Sequence, residues 1–560
     1  MNPPRVPRLA LRSPLTSGLL LLGLSAAALG APALQTKEER LSQRSFEVKG
    51  DYDAILGPGF EVMGEKVTPA DLKRAIVVGS TGRNLLESAK LQVFMDEEIE
   101  RQKQEGVDVS KYVVTKEDIN KAIEDADKMV KEEFQGHPDI QVSRDLFAMP
   151  ENVWFDQIEQ TQLFDRVFLP TDPREYPATT VAALNQSAPD FVQRLIDGHM
   201  LKLKTAEETG EPVKEDPNGQ AMFRQLMRQI VIGALNKSAE IKTFIDGIPP
   251  ENALEVNGHA IKTEDIWRAI RWKVRQDDVD EAKAWFERTI TARKALEAQG
   301  KYMTDEEFEN AYREYTAPYE SSPFNMEAVA VSFKKFPSAE HYKAHFRLEE
   351  SYKHLIENEI TSENLQAHVN GRAGNLLGLA KVDVEVILIS AYDFQLSTFK
   401  ENGWEEAGQR AVACVKELAA GAPWEEVVDK YSEWYEPPVA KSTAASAASF
   451  SKNKGRFGLK NRNELLQQLG ESDWSLFLNG YTVTDYLFFE LEPGIPSQPL
   501  RGPNGYYIGR VTRRTPPTSH INIEPTGQRP LVEQDYLATR FNAFCQEQLD
   551  KARAQGQAPK

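Results

Sequence analysis

Two histidines have the spacing at which side chains on a helix can share a metal ion. His341 and His345 lie four residues apart in EHYKAH, so both would face the same side of a helix. No HExxH pattern surrounds them, and the sequence suggests no third ligand. The alternative is a surface helix that carries two histidines. We favour that alternative and predict no metal and no other cofactor.

The sequence carries no motif for nucleophilic catalysis or phosphate binding. It contains neither a G-x-S-x-G elbow nor a GxxxxGK[ST] loop, and Cys414 and Cys545 lie in no catalytic signature. The two cysteines could form a disulfide in an oxidising compartment or remain free and buried. The sequence leaves both possibilities open.

The elements that could position a site are concentrated between Val382 and Arg514. VDVEVILIS (382–390) predicts a buried strand, and GYYIGRV (505–511) predicts a second strand after a Gly-rich turn. Between them, residues 411–433 predict two helices separated by Gly421. These elements predict a small α/β domain, while the chain before it is predicted to be helical.

The helical part contains a repeated segment. EVMGEKVTPADLKRAI (61–76) aligns with EVNGHAIKTEDIWRAI (255–270). The identical pairs are Glu61/Glu255, Val62/Val256, Gly64/Gly258, Asp71/Asp265, Arg74/Arg268, Ala75/Ala269 and Ile76/Ile270. This similarity predicts a duplicated helical module. Thr68 followed by Pro69 predicts a helix start in the first copy.

The first 33 residues have the parts of a secretion signal. Arg5, Arg8 and Arg12 precede the apolar run GLLLLGLSAAALG (18–30), and small residues follow. We expect secretion across an inner membrane to the periplasm or cell envelope, with no stable membrane span after cleavage; an uncleaved anchor is the alternative. The net charge of −18 argues against nucleic acid as a partner.

Together these parts resemble the extracytoplasmic chaperones that carry parvulin-type (PpiC-like) peptidyl-prolyl isomerase domains, the SurA and PrsA group. The most specific pieces are VEVILIS (384–390), AAGAPWEEVVDKYS (419–432), LEPGIPSQPL (491–500) and NGYYIGRV (504–511). The resemblance implies an α+β fold: a mainly helical, duplicated SurA-N-like chaperone module, a small α/β parvulin-like domain and a closing C-terminal helix.

The expected boundaries follow from the same resemblance. They are a signal peptide (1–33), a flexible linker (34–55), module copy 1 (56–143), a connecting segment (144–220), module copy 2 (221–380), a parvulin-like domain (381–514), a linker (515–530) and a C-terminal helix (531–556).

The resemblance also implies a peptide-binding site without its usual catalytic groups. Active members place one histidine on the first strand and one on the last; here those positions hold Val386 and Tyr507. With Leu388 and Phe489, these residues are expected to form an apolar pocket for a peptide, with no catalytic residue. Trp474 and Trp434 are further candidates for client contact.

Three functions remain open from the sequence. The first is a folding factor that binds unfolded polypeptides, with a parvulin-like domain of reduced or absent activity. The second is an active peptidyl-prolyl cis-trans isomerase with an altered pocket. The third is a non-catalytic envelope scaffold that binds one fixed partner.

In AMFRQLMRQIVIGALNK (221–237), Phe223, Leu226, Ile230 and Ala234 predict a core-facing helix side, and a Met-rich face open to clients is the alternative.

Overall fold

Helices dominate the chain before residue 381, and a small antiparallel sheet follows, so the fold is mixed α+β. The computed structural model describes residues 52–122, 124, 151–210, 217–271, 273–319, 326–393, 398–400, 402–433, 455–524 and 527–559. The predicted signal peptide, most of the predicted linker at 34–55, and Trp434 lie outside the described residues. Within the described residues, no helix is both long and apolar enough to cross a bilayer.

Contacts divide the chain into two units. Among the described residues, the first unit covers Leu85–Ile241 and Glu255–Ile261, and the second covers the rest. The helices of the first unit include most of α2 (Arg83–Gln104) and all of α3 (Glu151–Phe168), α4 (Ala178–Ser187), α5 (Phe191–Thr209) and α6 (Pro217–Ser238). In this unit, α4 packs against both α5 and α6.

The second unit contains the remaining helices before the sheet. They are α1 (Pro69–Val78), α7 (Thr263–Ile270), α8 (Gln276–Ala298), α9 (Asp305–Thr316), α10 (Met326–Ser332), α11 (Ala339–Ile356), α12 (Ser362–His368) and α13 (Gly374–Leu377). The short strands before the sheet are β1 (Phe60–Val62) and β2 (Glu65–Val67) in the second unit, and β3 (Ile241–Lys242), β4 (Asn252–Val256) and β5 (His259–Lys262), whose residues are divided between the two units.

The two aligned sequence segments share their turn conformation. Met63 and Gly64 have φ of 48° and 81°, and Asn257 and Gly258 have φ of 50° and 82°. Two consecutive positive φ angles are typical of a type I′ turn, and glycine adopts such an angle at no steric cost. In the first segment the predicted helix start is confirmed: Thr68 and Asp71 form a capping box, and Pro69 opens α1.

The helices that follow these turns contact each other. Helices α1 and α7 pack side by side in the second unit. Lys73 on α1 forms ion pairs with Glu264 on α7 at 2.9 Å and with Asp53 at 2.7 Å. Asp53 also accepts a hydrogen bond of 2.8 Å from the indole of Trp267, which is fully buried.

Helix α8 is the centre of the helical core in the second unit. It packs against α1, α11 and the closing helix α19 (Arg529–Ala554). The predicted C-terminal helix is thus present, and it returns to the helical part of the chain. Phe541 of α19 has no exposed surface, and its ring lies 6.3 Å from that of Phe477. Burial of such large apolar side chains stabilises the packing of α19 on this core.

The sheet of the α/β domain has four antiparallel strands. They are β6 (Lys381–Ser390), β9 (Arg456–Lys460), β10 (Leu500–Gly502) and β11 (Gly505–Thr515), in the order β10-β11-β6-β9. The strands predicted at 382–390 and 505–511 are therefore confirmed, and they are neighbours. A two-stranded pair, β7 (Tyr392–Asp393) and β8 (Thr398–Phe399), follows β6.

Both faces of this sheet are covered. Helices α14 (Gly403–Ala419) and α15 (Trp424–Tyr431) cover the side that carries Ile387 and Ile389. Helices α16 (Arg462–Leu469), α17 (Asp473–Asn479) and α18 (Val483–Asp485) follow β9, and α16 and α18 contribute to the opposite cluster. Burial on both faces explains the continuous apolar run of β6 at 386–389, because alternate side chains of a strand point to opposite sides.

Candidate functional site

The four residues predicted to bind a client peptide meet on one face of the sheet. Val386 and Leu388 lie on β6, and Tyr507 lies on β11 directly opposite Leu388. Phe489 lies in a single π-helical turn, Tyr486–Glu490, that packs over the same face. The structure thus brings all four predicted residues into one apolar cluster.

This cluster is closed. Val386, Leu388 and Tyr507 are 0% exposed, and Phe489 is half-buried. The Tyr507 ring lies so close to Gly502 that an added Cβ there would stand 2.5 Å from Cε2 of the ring. A peptide can therefore touch the first three residues only if the segments that cover this face move.

The cluster also holds no group that could transfer a proton near neutral pH. Val386 has no polar side-chain atom, and the Tyr507 hydroxyl lies 3.5 Å from the carbonyl oxygen of Leu469, a long hydrogen bond. Burial raises the pKa of the Tyr507 phenol, so the hydroxyl stays protonated. Apart from this phenol the cluster is apolar, and the buried carboxylate of Glu471 borders it, where it accepts hydrogen bonds from the backbone N–H groups of Val483 and Thr484.

Phe489, at the edge of the cluster, is covered by charged residues. The Arg372 guanidinium lies 4.3 Å from the centre of the Phe489 ring, a cation–π contact. Arg372 also donates to Asp485 at 3.3 Å, and Arg462 donates to Asp485 at 2.6 Å. Burial alone would raise the pKa of Asp485, but the bonds and charges of the two arginines outweigh burial and hold it below its usual value.

The two histidines do not lie on a surface helix, so that interpretation was wrong. His341 on α11 is 3% exposed, and its ring lies 4.7 Å from that of Trp285 and 5.6 Å from that of Trp474. The side chain of His345 is 11% exposed. Burial lowers the pKa of each histidine to about 3, so both are neutral at physiological pH. Among the described residues, no group of three or more side chains could hold a metal ion.

Trp424, Trp474 and both cysteines are also buried. Trp424 is 3% exposed and Trp474 is 6% exposed, so Trp474 is not an open contact surface for clients. Cys414 and Cys545 are free and buried, and burial raises the pKa of each thiol to about 12. The disulfide that the sequence left open does not form here.

An exposed apolar surface lies instead on the first unit, on helices α5 and α6. We call its six side chains the apolar surface. They are Met200 (44% exposed), Leu201 (66%), Leu203 (47%), Met222 (72%), Phe223 (38%) and Leu226 (52%). Six exposed side chains of this size on two helices of one unit are a candidate contact surface.

Helix α6 does not bury the side that the periodicity predicted. Met227 and Val231 are 4% and 1% exposed, whereas Phe223 and Leu226 face solvent. The prediction of a core-facing Phe223 and Leu226 was therefore wrong, while Ile230 and Ala234 are half-buried. Met222 is exposed but Met227 is buried, and client contact on this helix stays a prediction. Apolar residues occur on nearly every side of this helix, so spacing alone could not tell which side is buried.

Helix α6 is held in place by charges on its neighbour α3. Asp165 accepts hydrogen bonds of 2.6 Å from both Nε and Nη2 of Arg228, and one of 2.9 Å from Arg224. The Phe223 ring also lies 6.0 Å from the Phe191 ring at the start of α5. A two-point arginine–carboxylate contact fixes orientation, so the apolar side chains of α6 remain exposed on an anchored helix.

No family model matches the sequence, and no curated protein matches it. The similar solved structures include a peptidylprolyl isomerase (PrsA) from Bacillus anthracis, with 14% identity, a TM-score of 0.19, and coverage of 50% of this chain and 96% of that one. PrsA from Bacillus subtilis has 16% identity, a TM-score of 0.15, and coverage of 53% and 90%. The foldase protein PrsA from Streptococcus pneumoniae has 16% identity, a TM-score of 0.17, and coverage of 54% and 92%. The function is therefore argued below from the residues of this chain.

Proposed function

We propose that this chain is an extracytoplasmic folding factor that binds unfolded polypeptides and does not catalyse their isomerisation. Its clients bind the apolar surface on α5 and α6. The six side chains there supply apolar contact area without a fixed partner shape, and methionine adapts to varied partners because its side chain is flexible. The exposure of these side chains is the observation that carries the proposal.

The α/β domain is assigned a structural or peptide-holding role in this proposal. It keeps the predicted boundaries 381–514, and Val386, Leu388, Phe489 and Tyr507 remain its proposed peptide-contacting residues once the domain opens. Support for a non-catalytic role comes from the closed packing of Tyr507 on Gly502 and from the raised pKa of the Tyr507 phenol, which keeps it protonated. An X–Pro bond must cross a barrier of about 18–20 kcal/mol, and a filled core offers no pocket in which to lower it.

The helical part is assigned to a duplicated module. The shared turn conformation at Met63–Gly64 and Asn257–Gly258, followed by the paired helices α1 and α7, supports a common origin of the two segments. The basic and apolar stretches of residues 1–33 support export, and clients would then be proteins that fold outside the cytoplasm.

The proposal is tested by suppression of client aggregation. The chain lacking residues 1–33 is mixed with several chemically unfolded proteins, and light scattering follows their aggregation on dilution. A variant with Leu201→Ser, Met222→Ser and Leu226→Ser should protect clients far less. Burial of one such side chain contributes roughly 1.5–3 kcal/mol, and each 1.4 kcal/mol is about tenfold in affinity, so client affinity should fall at least about tenfold.

Matched exposed side chains elsewhere provide the control. Val412 and Leu531 are 49% and 50% exposed and lie outside the apolar surface. A double variant with Val412→Ser and Leu531→Ser should protect clients as the parent does, and circular dichroism should show that both variants are folded. Equal protection by parent and triple variant would refute the apolar surface as the client site.

An isomerase assay separates the proposal from its main alternative. A protease-coupled measurement on a short X-Pro peptide should give the uncatalysed rate, which corresponds to tens to hundreds of seconds. A clear acceleration that Tyr507→Phe leaves intact and Phe489→Ala abolishes would favour an active isomerase. Protection of one client only would favour the scaffold.

A further inference from the structure

A small cleft lies in the second unit where α1 ends against α8. It encloses about 330 Å³ of empty space, including the part open to solvent. The lining residues include Thr81, Asp278, Glu281, Trp285, His341 and Trp474.

Aromatic rings form one side of this cleft. Trp285 and Trp474 are 5% and 6% exposed, and the neutral His341 ring stands between them. Tryptophan faces attract cations through their quadrupole, by about 0.5–1 kcal/mol at exposed sites and about 2 kcal/mol where water is excluded. Because burial lowers the pKa of His341 to about 3, this ring brings no positive charge into the cleft.

Two carboxylates on one face of α8 form the other side. Asp278 accepts hydrogen bonds from the Thr81 hydroxyl at 2.6 Å and from the Arg275 backbone N–H at 2.8 Å. Glu281 accepts one from the Trp474 indole. All three donors are uncharged groups, and no lysine or arginine lines the cleft. In the described part of the chain, neither carboxylate forms an ion pair.

One buried donor at the cleft has no acceptor. The Trp285 indole N–H is buried and makes no hydrogen bond within the described structure. An unpaired buried donor costs about 1–3 kcal/mol, so an acceptor that reached it would be favoured. This donor would be satisfied by a carbonyl oxygen, which a polypeptide supplies and a bare guanidinium or ammonium group does not.

We propose that this cleft binds an organic cation, a guanidinium or alkylammonium group, between the tryptophans and Glu281. The ligand is either a free amine or guanidine or a basic side chain of a polypeptide. Both sources present the same charge, and the second also offers a backbone carbonyl oxygen as an acceptor. The proposal does not depend on client binding at α5 and α6, because it concerns different residues.

Titration of the full chain tests the proposal. Butylguanidinium is compared with butylurea, which has the same shape and no charge, and tryptophan fluorescence reports binding near Trp285 and Trp474. Saturable binding of butylguanidinium alone is expected, and Glu281→Gln should weaken it at least about tenfold. Asp280→Asn is the matched control, because Asp280 lies on the same helix but is exposed to solvent; it should leave binding unchanged.

Two further measurements identify the source of the ligand and keep the test valid if one variant misfolds. An acetylated Ala-Arg-Ala amide that binds tighter than butylguanidinium would assign the cleft to a polypeptide side chain, and equal affinity would assign it to a free cation. Trp285→Phe keeps an aromatic face, on a smaller ring, and removes the N–H, so it should weaken peptide binding more than butylguanidinium binding. Equal binding of butylurea, no binding of either small probe, or an unchanged affinity in folded Glu281→Gln would overturn the proposal.

Discussion

At the scale of single residues, burial determines the protonation state of several titratable side chains. Tyr507 and the two histidines are groups that the sequence marks as functional, yet packing holds all three neutral. Glu281 and Glu349 show the reverse case, because burial raises the pKa of each to about 7. These carboxylates titrate in the physiological range, and no sequence motif distinguishes them from the many glutamates on solvated helix faces.

Glu349 gives a pH-dependent prediction for stability. The pKa of Glu349 in the folded chain is about 7, above the ordinary value of 4.5. Its contribution to the free energy of unfolding is therefore largest below pH 4.5 and is lost as the pH rises through 7. Glu349→Gln should therefore increase the free energy of unfolding at pH 8 by roughly 1–3 kcal/mol and leave it nearly unchanged at pH 4.5. Urea unfolding at both pH values measures this. Glu363→Gln, at an exposed position, should show no such difference.

Glu281 gives a second prediction, for the affinity of the cleft. A cation binds the ionised carboxylate, so the affinity for butylguanidinium should rise as the pH increases from 6 to 8. Burial raises the pKa of Glu281 most, the hydrogen bond from Trp474 lowers it, and the charges of Asp278 and Asp277 raise it further. His341 stays neutral between pH 6 and 8 and does not contribute to the change. Glu281→Gln should flatten the pH profile. A profile that stays as steep in this variant would assign the titration to another group.

Tyr507 yields a prediction that follows from its lack of exposure. Tyr507→Ala should lower the free energy of unfolding by about 3–5 kcal/mol, as removal of a buried aromatic ring does. Denaturant unfolding measures the change. Tyr481→Ala, at a position that is 42% exposed, should cost much less. Equal costs would mean that the cluster under β11 is looser than its packing indicates.

At the scale of elements, the sequence predicts the positions of the helices and strands well but predicts poorly which side of a helix is buried. The strands at 382–390 and 505–511, the helix start at Thr68 and the closing helix follow from local periodicity and capping, which depend on neighbouring residues. The open side of α6 does not follow, because which apolar side is buried depends on α3 and α4, which are distant in sequence. The aromatic cleft was missed for the same reason: its residues come from α1, α8, α11 and α17.

The closing helix gives a prediction at this scale. Phe541 on α19 is fully buried, whereas Leu531 at its start is 50% exposed. Phe541→Ala should lower the free energy of unfolding by about 3–5 kcal/mol, and Leu531→Ala should change it by less than about 1 kcal/mol. Thermal unfolding followed by circular dichroism compares the two. Similar small effects would show that α19 contributes little to the core built on α8.

At the scale of the whole molecule, an apolar client surface belongs to a strongly acidic protein. The net charge of −18 keeps copies of the chain apart, so exposed methionine and leucine side chains need not lead to self-association. The same charge attracts basic clients and repels acidic ones over roughly the Debye length, which is about 8 Å at physiological salt. In the proposed function, charge therefore selects clients at a distance and the apolar surface holds them in contact.

The separate roles of net charge and apolar contact predict how salt changes client binding. At low salt, an unfolded basic client should associate faster than an unfolded acidic client of similar hydropathy, and the difference should vanish near 1 M salt, where the Debye length is about 3 Å. Affinity that remains at high salt should come from the apolar surface, because apolar burial is not screened. Stopped-flow association rates and equilibrium affinities for both clients measure the two parts separately.

The variant with Leu201→Ser, Met222→Ser and Leu226→Ser should lose the residual affinity at high salt but keep the difference in association rate at low salt. Loss of the rate difference in this variant would mean that charge and apolar contact act at one site and cannot be separated.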